Sequence, residues 1–175
     1  YFKFERILPS NTGAEAVEAA IKITRKWGYT QKNISKNKAE IIVCSQNFHG
    51  RTSTIISFSS DPESKNHFGP HAPGFITIPY NDTEALESIL ETNPNIAGFL
   101  VEPIQGEAGV YTPDEDFIYK SKKLCSEYNV LFIADEIQTG IGRTGSLLAI
   151  CGNCTCLGHC ESQAATYVRP DILIL

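Results

Sequence analysis

The sequence predicts an α/β fold in which a mostly parallel sheet forms the middle layer of a three-layer sandwich. Apolar runs at residues 40–44, 96–101 and 130–134 are rich in β-branched and aromatic side chains and have no polar face. This pattern is typical of strands that are buried on both sides in a parallel sheet. Helical patterns separate the runs, so we expect right-handed crossovers between parallel strands.

The first predicted helix begins after Asn11, and its apolar positions recur every three or four residues until Gly28, which we expect to close it. Residues 10–15 offer N-cap side chains followed by very small residues. Such a helix start either is simply capped or presents bare amide groups to an anion, and both alternatives stay open. A polar loop at residues 30–38 then leads to the first strand.

The middle of the chain combines an irregular segment with a second helix. Residues 52–74 have no clear periodicity, and residues 74–79 form a short strand candidate. Asn81 and Glu84 then fit a capping box, with Asn81 as the N-cap of a helix that ends by residue 93.

Two predicted strands end in acidic residues. Residues 96–101 lead to Glu102, a helix begins near residue 113, and the strand that starts at Val130 ends in Asp135 and Glu136. A buried carboxylate needs a cation or hydrogen bonds, so we expect Asp135 or Glu136 to meet a positive charge. Ligands of open α/β sheets bind at the carboxyl ends of the strands, where these acids lie.

Composition excludes several classes of function. The chain has 175 residues, is 42% hydrophobic and carries a net charge of −5, which argues against binding to nucleic acid. No apolar stretch reaches the roughly 20 residues that span a membrane. The sequence contains no methionine and stops within an apolar run, so we expect a piece of a larger protein. Cys44 and Cys125 lie apart in apolar patterns, which favours a reducing compartment.

Four segments taken together resemble one enzyme family. Residues 11–16, 48–52, 101–107 and 134–140 are similar to motifs of the class III, pyridoxal-phosphate-dependent aminotransferases of fold type I. Within the class, residues 25–29, 78–82 and 130–145 are most similar to the ornithine aminotransferases. The resemblance implies that residues 1–175 form a truncated large domain that binds the cofactor.

The resemblance also implies roles for individual residues. Asp135 would face the pyridine nitrogen of pyridoxal phosphate, and Gln138 would hydrogen-bond its phenolic oxygen. Amides at Gly13 and Ala14 would hold the phosphate, and Phe48 would stack on the ring. The implied cofactor-binding set is Thr12, Gly13, Ala14, Phe48, His49, Glu102, Asp135 and Gln138, and the implied substrate-binding residues are Arg51 and Glu107.

The implied reaction is transfer of the δ-amino group of ornithine to a 2-oxo acid, which gives glutamate semialdehyde and glutamate. The family's Schiff-base lysine lies in a Gly-Lys segment, and no Gly-Lys pair occurs here, so we expect the chain alone to be inactive. The resemblance further implies a homodimer in the mitochondrial matrix, or alternatively in the cytoplasm. Acetylornithine or 4-aminobutyrate aminotransferases are alternative classes.

Two other hypotheses compete with this resemblance. An apolar strand that ends in Asp-Glu also occurs in P-loop ATPases, although no G-x-x-x-x-G-K-[ST] loop is present. Residues 151–167 form an atypical insertion with Cys151, Cys154, Cys156 and Cys160, which suggests a non-catalytic metal or interaction module. These thiols are crowded more closely than structural zinc sites require, so no metal is predicted.

Overall fold

The computed structural model describes residue 2, residues 4–151 and residues 168–175. Its centre is a five-stranded parallel sheet with the strand order β2-β1-β3-β4-β5. The strands are β1 (Glu40–Cys44), β2 (Phe75–Ile78), β3 (Ile96–Val101), β4 (Leu131–Asp135) and β5 (Ile172–Ile174). The helices are α1 (Gly13–Thr30), α2 (Pro62–Lys65), α3 (Thr83–Thr92) and α4 (Phe117–Glu127). The predicted α/β fold with a mostly parallel sheet is confirmed.

Helices cover both faces of the sheet, which makes three layers. One face packs on α1, through a core of Val17, Ala20, Ile21, Ile41, Val43, Leu100, Ile133 and Ile174. The other face packs on α3 and α4, through Leu86, Leu90, Phe117, Cys125, Ile42, Phe99, Val101 and Phe132. All six residues of β3 are buried, because this central strand contributes side chains to both cores.

Helix α1 continues past the glycine that was expected to end it. The helix runs to Thr30, so the prediction that Gly28 closes it is wrong. A Cβ atom at position 28 would lie 2.9 Å from the Cβ atom of Ala97 on β3. Gly28 therefore allows close packing of the helix on the sheet, a tertiary role that helical periodicity does not reveal.

Two other local predictions need correction. The N-cap of α3 is Asp82, whose side chain accepts a hydrogen bond from the backbone of Ala85, whereas Asn81 has a positive φ of 68°. Asn81 instead accepts a hydrogen bond from the backbone of Asp114. The segment at residues 52–74, which the sequence predicted to be irregular, contains a 3₁₀ turn at Ile55–Phe58 and the one-turn helix α2.

The cysteine-rich insertion predicted at residues 151–167 lies outside the described residues apart from the backbone of Cys151. Within the described ranges, no helix has the length and apolar composition needed to cross a membrane. The same ranges contain no group of three or more His, Cys, Asp or Glu side chains placed to hold a metal ion.

Candidate active site

A cleft of about 380 Å³ lies where the carboxyl ends of three neighbouring strands meet the start of α1. Segments that follow β1, β3 and β4 all contribute to its wall, as expected for ligand sites of parallel sheets. The lining residues are Gly13, Ala14, Phe48, His49, Gly50, Glu102, Ile104, Glu107, Asp135, Ile137, Gln138 and Thr139. Eight of the ten residues that the sequence suggested for the site therefore line one cleft.

Asp135 is the buried acid at the end of β4. Its Oδ2 atom lies 2.6 Å from Nδ1 of His49, and its Oδ1 atom accepts a hydrogen bond of 3.1 Å from the backbone N–H of Ile137. Burial lowers the pKa of His49, but the hydrogen bond and charge of Asp135, with the charge of Glu102, outweigh it and raise the pKa overall. Within the described residues, the partner of this acid is thus the His49 imidazole, which is a cation when protonated.

Glu102 follows β3 and is only 7% exposed. Its Oε2 atom accepts a hydrogen bond of 3.1 Å from the backbone N–H of Phe48, so it holds the turn that carries Phe48 and His49. Burial raises the pKa of Glu102 to about 7, although His49 and the hydrogen bond from Phe48 oppose this rise. Glu102 is therefore a carboxyl group that changes protonation close to neutral pH.

Among the residues that the structure describes, no cation contacts Glu136, although the sequence allowed such a contact. Its carboxylate accepts hydrogen bonds from the hydroxyl of Thr139 at 2.6 Å and from the backbone N–H groups of Ala149 and Ile150 at 3.0 and 2.8 Å. Burial raises the pKa of Glu136, while these hydrogen bonds oppose the rise. Neutral donors thus satisfy this acid, and it fixes the loop that follows β4 instead of facing the cleft.

The start of α1 supplies both capping and free amide groups. Thr12 is the N-cap, and its hydroxyl accepts a hydrogen bond of 3.2 Å from the backbone of Glu15. No described group accepts a hydrogen bond from the backbone N–H of Gly13 or Ala14, and both residues line the cleft. The capping alternative is therefore observed. The N-terminus of a long helix with free amide groups favours an anion, so an anion site here stays a prediction.

Two of the suggested residues do not line the cleft. Thr12 acts at its edge, as the cap of α1. Arg51 is exposed, and its guanidinium carbon lies 4.8 Å from the centroid of the Phe48 ring. The residues suggested from the sequence did not include Gly50, Ile104, Ile137 and Thr139, which also line the cleft. All four lie within the motifs at residues 48–52, 101–107 and 134–140, and this position was the available signal.

The arrangement suits a flat, anionic ligand that carries a basic ring nitrogen. Free amide groups at Gly13 and Ala14 match an anionic group, and Phe48, Ile104 and Ile137 supply apolar surface for a planar ring. The buried Asp135 carboxylate can hold a proton on a basic nitrogen through a charge-assisted hydrogen bond. By this chemistry the described residues fit pyridoxal phosphate.

Comparison with known proteins agrees with this fit. A family model of class-III aminotransferases matches residues 1–155. The ornithine aminotransferase of Emericella nidulans is 55% identical over 184 residues, which cover 100% of this chain and 38% of that protein. The mitochondrial ornithine aminotransferase of Rattus norvegicus is 51% identical over 174 residues, which cover 99% of this chain and 36% of that protein.

Solved structures share the fold. The ornithine aminotransferase of Toxoplasma gondii superposes with a TM-score of 0.88 at 46% identity, covering 98% of this chain and 38% of that chain. A second structure of that enzyme reveals partial occupancy of PLP at its active site. The acetylornithine aminotransferase of Elizabethkingia anophelis superposes with a TM-score of 0.74 at 54% identity, covering 98% of this chain and 38% of that chain.

The chain thus spans between 36% and 39% of the length of the curated relatives named ornithine aminotransferase. Its sheet and helices have the architecture of the fold type I, pyridoxal-phosphate-dependent aminotransferases. The family match extends over residues 1–155 of 175, and on this basis the chain belongs to the class-III aminotransferases.

Proposed function

We propose that this chain forms the cofactor-binding part of an enzyme that transfers the δ-amino group of ornithine to a 2-oxo acid. The products are glutamate semialdehyde and glutamate. The observation that carries the proposal is the buried Asp135 carboxylate, which lines the same cleft as the free amide groups of Gly13 and Ala14. The relatives named ornithine aminotransferase support this choice of substrate.

The residues around Asp135 would keep a ring nitrogen protonated. When bound, pyridoxal phosphate supplies a ring that accepts electrons from the substrate. The Asp135 carboxylate would hold the proton on the ring nitrogen, and the His49 imidazole, 2.6 Å away, would orient that carboxylate. The amide groups of Gly13 and Ala14 bind the phosphate, Phe48 contacts the ring, and Gln138 donates to its phenolic oxygen.

Substrate recognition would involve Arg51 and Glu107. The planar guanidinium of Arg51 matches a carboxylate bidentately, and its contact with Phe48 keeps it next to a residue of the cleft wall. Glu107 lines the cleft and offers a negative charge to the amino groups of a diamino acid. Glu102 supports the site by holding the Phe48 turn.

A second candidate function is transamination of acetylornithine. It is favoured by the 54% identity to the Elizabethkingia anophelis enzyme. For the larger protein we propose a homodimer. We propose the mitochondrial matrix as its location because the rat relative is mitochondrial, with the cytoplasm as the alternative.

The test uses a full-length protein that contains this sequence, assayed with 2-oxoglutarate and either ornithine, acetylornithine or 4-aminobutyrate. We expect ornithine to be the preferred donor. Asp135→Asn should lower kcat a hundredfold or more, on the order of losing one charge-stabilising group. The control is Glu115→Gln, because Glu115 is exposed and lies outside the cleft lining.

Preference for acetylornithine would favour the second candidate. Absence of turnover with every donor, or full activity of Asp135→Asn, would contradict an aminotransferase role for this cleft.

A further inference from the structure

The backbone of the loop between β3 and α4 lies directly against the amide group of Gln138. A Cβ atom built on Gly106 would have three nearest neighbours, and all three are the Oε1, Cδ and Nε2 atoms of Gln138. The Cδ and Nε2 atoms would lie only 2.7 and 3.0 Å from it. The Gln138 amide therefore occupies the space that any other residue at position 106 would fill with its own side chain.

This close approach limits the positions that are open to the Gln138 amide, which belongs to an exposed residue. Within the described part of the chain, no group hydrogen-bonds to that amide, although Gln138 lines the cleft. A glutamine side chain has three rotatable bonds and loses considerable entropy when it is fixed. A flat surface on one side of the amide reduces that freedom before any ligand binds, and preorganisation of this kind improves affinity.

Gly106 is itself held in place by its neighbours. The backbone N–H and C=O groups of Gln105 both pair with Tyr111, at 3.0 Å each. The Gln105 side chain is completely buried and donates a hydrogen bond of 2.8 Å to the carbonyl oxygen of Ser45, at the end of β1. The backbone of Gly109 donates to the carbonyl oxygen of Gly106 at 3.3 Å. The surface facing Gln138 is thus anchored to the sheet and closed into a tight loop.

We propose that Gly106 is a positioning residue for the cofactor: it fixes the Gln138 amide so that its nitrogen faces the ring oxygen of pyridoxal phosphate. Of the three amide atoms, Oε1 lies nearest to the position that a Cβ atom of residue 106 would take, and Nε2 lies farther from it. The inference rests on the proposed function, because it needs Gln138 to contact the cofactor. Its recognition chemistry is a neutral amide donor aimed at a phenolic oxygen.

An added methyl group is well suited to test the inference. The φ angle of Gly106 lies outside the left-handed region, so alanine can adopt this backbone conformation. The atoms in its way belong to the end of a flexible side chain, so Gly106→Ala should fold and displace the amide. Gly69→Ala is the matched control, because a methyl group there meets nothing closer than 3.8 Å.

The experiment uses a full-length protein containing this sequence, as the wild type, Gly106→Ala, Gln138→Ala, their double variant and Gly69→Ala. The readouts are the dissociation constant for pyridoxal phosphate, the pH titration of the bound cofactor's absorption spectrum, and the melting temperature. Gly106→Ala and Gln138→Ala should each raise the dissociation constant about tenfold, the value of one hydrogen bond. Both should move the spectrum in the same direction, and the double variant should match the single variants. Gly69→Ala should match the wild type.

The possible failures are distinguishable. If Gln138→Ala binds the cofactor like the wild type, the contact proposed for Gln138 is wrong, and the inference fails with it. If Gln138→Ala binds the cofactor more weakly than the wild type but Gly106→Ala does not, only the role of Gly106 is overturned. Effects that multiply to about a hundredfold in the double variant would also overturn it, because Gly106 would then act independently of Gln138.

Discussion

Glu102 shows how a single buried carboxyl group links the site to the stability of the fold. Its pKa rises from 4.5 to about 7, mainly through burial. Between these pH values the folded protein keeps a proton that the unfolded chain has released. The free energy of unfolding should therefore fall as the pH rises through this window, by about 3 kcal/mol from this group.

Glu102→Gln should remove this part of the pH dependence, because the amide cannot titrate but can still accept the hydrogen bond from Phe48. Urea unfolding between pH 4.5 and 8 measures the effect, and Glu87→Gln is an exposed control. His49 and Glu136 also have raised pKa values and contribute with the same sign, so the difference from the wild type is the relevant quantity. An unchanged slope in Glu102→Gln would contradict the prediction.

Residue types and strand ends were sufficient to predict that Asp135 is buried at the site. They were insufficient to separate it from Glu136, because a carboxylate is satisfied equally by a cation or by backbone amide groups. The loop that returns Ala149 and Ile150 to Glu136 is a tertiary contact without a local signal. The exposed position of Arg51 was equally invisible, because its stacking on Phe48 depends on side-chain direction.

At the scale of elements, helix α3 has two candidate N-cap residues that are adjacent in the sequence, Asn81 and Asp82, and only Asp82 caps it. Asp82→Ala should destabilise the protein by about 1 kcal/mol, because the side chain that accepts from the Ala85 backbone is lost. Glu87→Gln, at an exposed position of α3, is the control, and we expect a change within about 0.5 kcal/mol. Thermal unfolding of both variants measures the difference, and an equally small change in Asp82→Ala would contradict its assignment as the cap.

The central strands were predictable to within about a residue, because a strand buried on both faces must be apolar throughout. Helix ends were harder to predict. Gly28 ends an apolar pattern, but helix α1 continues to Thr30. Glycine is required at position 28 because a side chain there would collide with Ala97. Asn81 and Asp82 are both good caps by residue type, and only the positive φ of Asn81 excludes it from that role.

At the scale of the whole molecule, the two edges of the sheet, at the carboxyl and the amino ends of its strands, have different roles. The carboxyl ends of the strands form the cleft, whereas the opposite edge joins the layers. There Lys32, just beyond α1, donates through Nζ to the carbonyl oxygen of Ile96 at the start of β3, at 2.9 Å, and to that of Tyr128 at the end of α4, at 3.0 Å. One side chain thus connects helices that lie on opposite faces of the sheet.

Lys32→Met should therefore weaken the fold without affecting the cleft. Methionine keeps most of the apolar stem but leaves two carbonyl groups without their charged donor, which should cost about 1–3 kcal/mol. Burial already lowers the pKa of Lys32, so part of the gain from its hydrogen bonds is offset by desolvation of the ammonium group, and the lower end of this range is expected. Lys26→Met, at an exposed position of α1, should change stability by less than about 0.5 kcal/mol. The measurements are the free energy of unfolding and the affinity for pyridoxal phosphate, both on a full-length protein. If Lys32→Met binds pyridoxal phosphate more weakly at temperatures where it stays folded, the two edges of the sheet are coupled and the prediction is wrong.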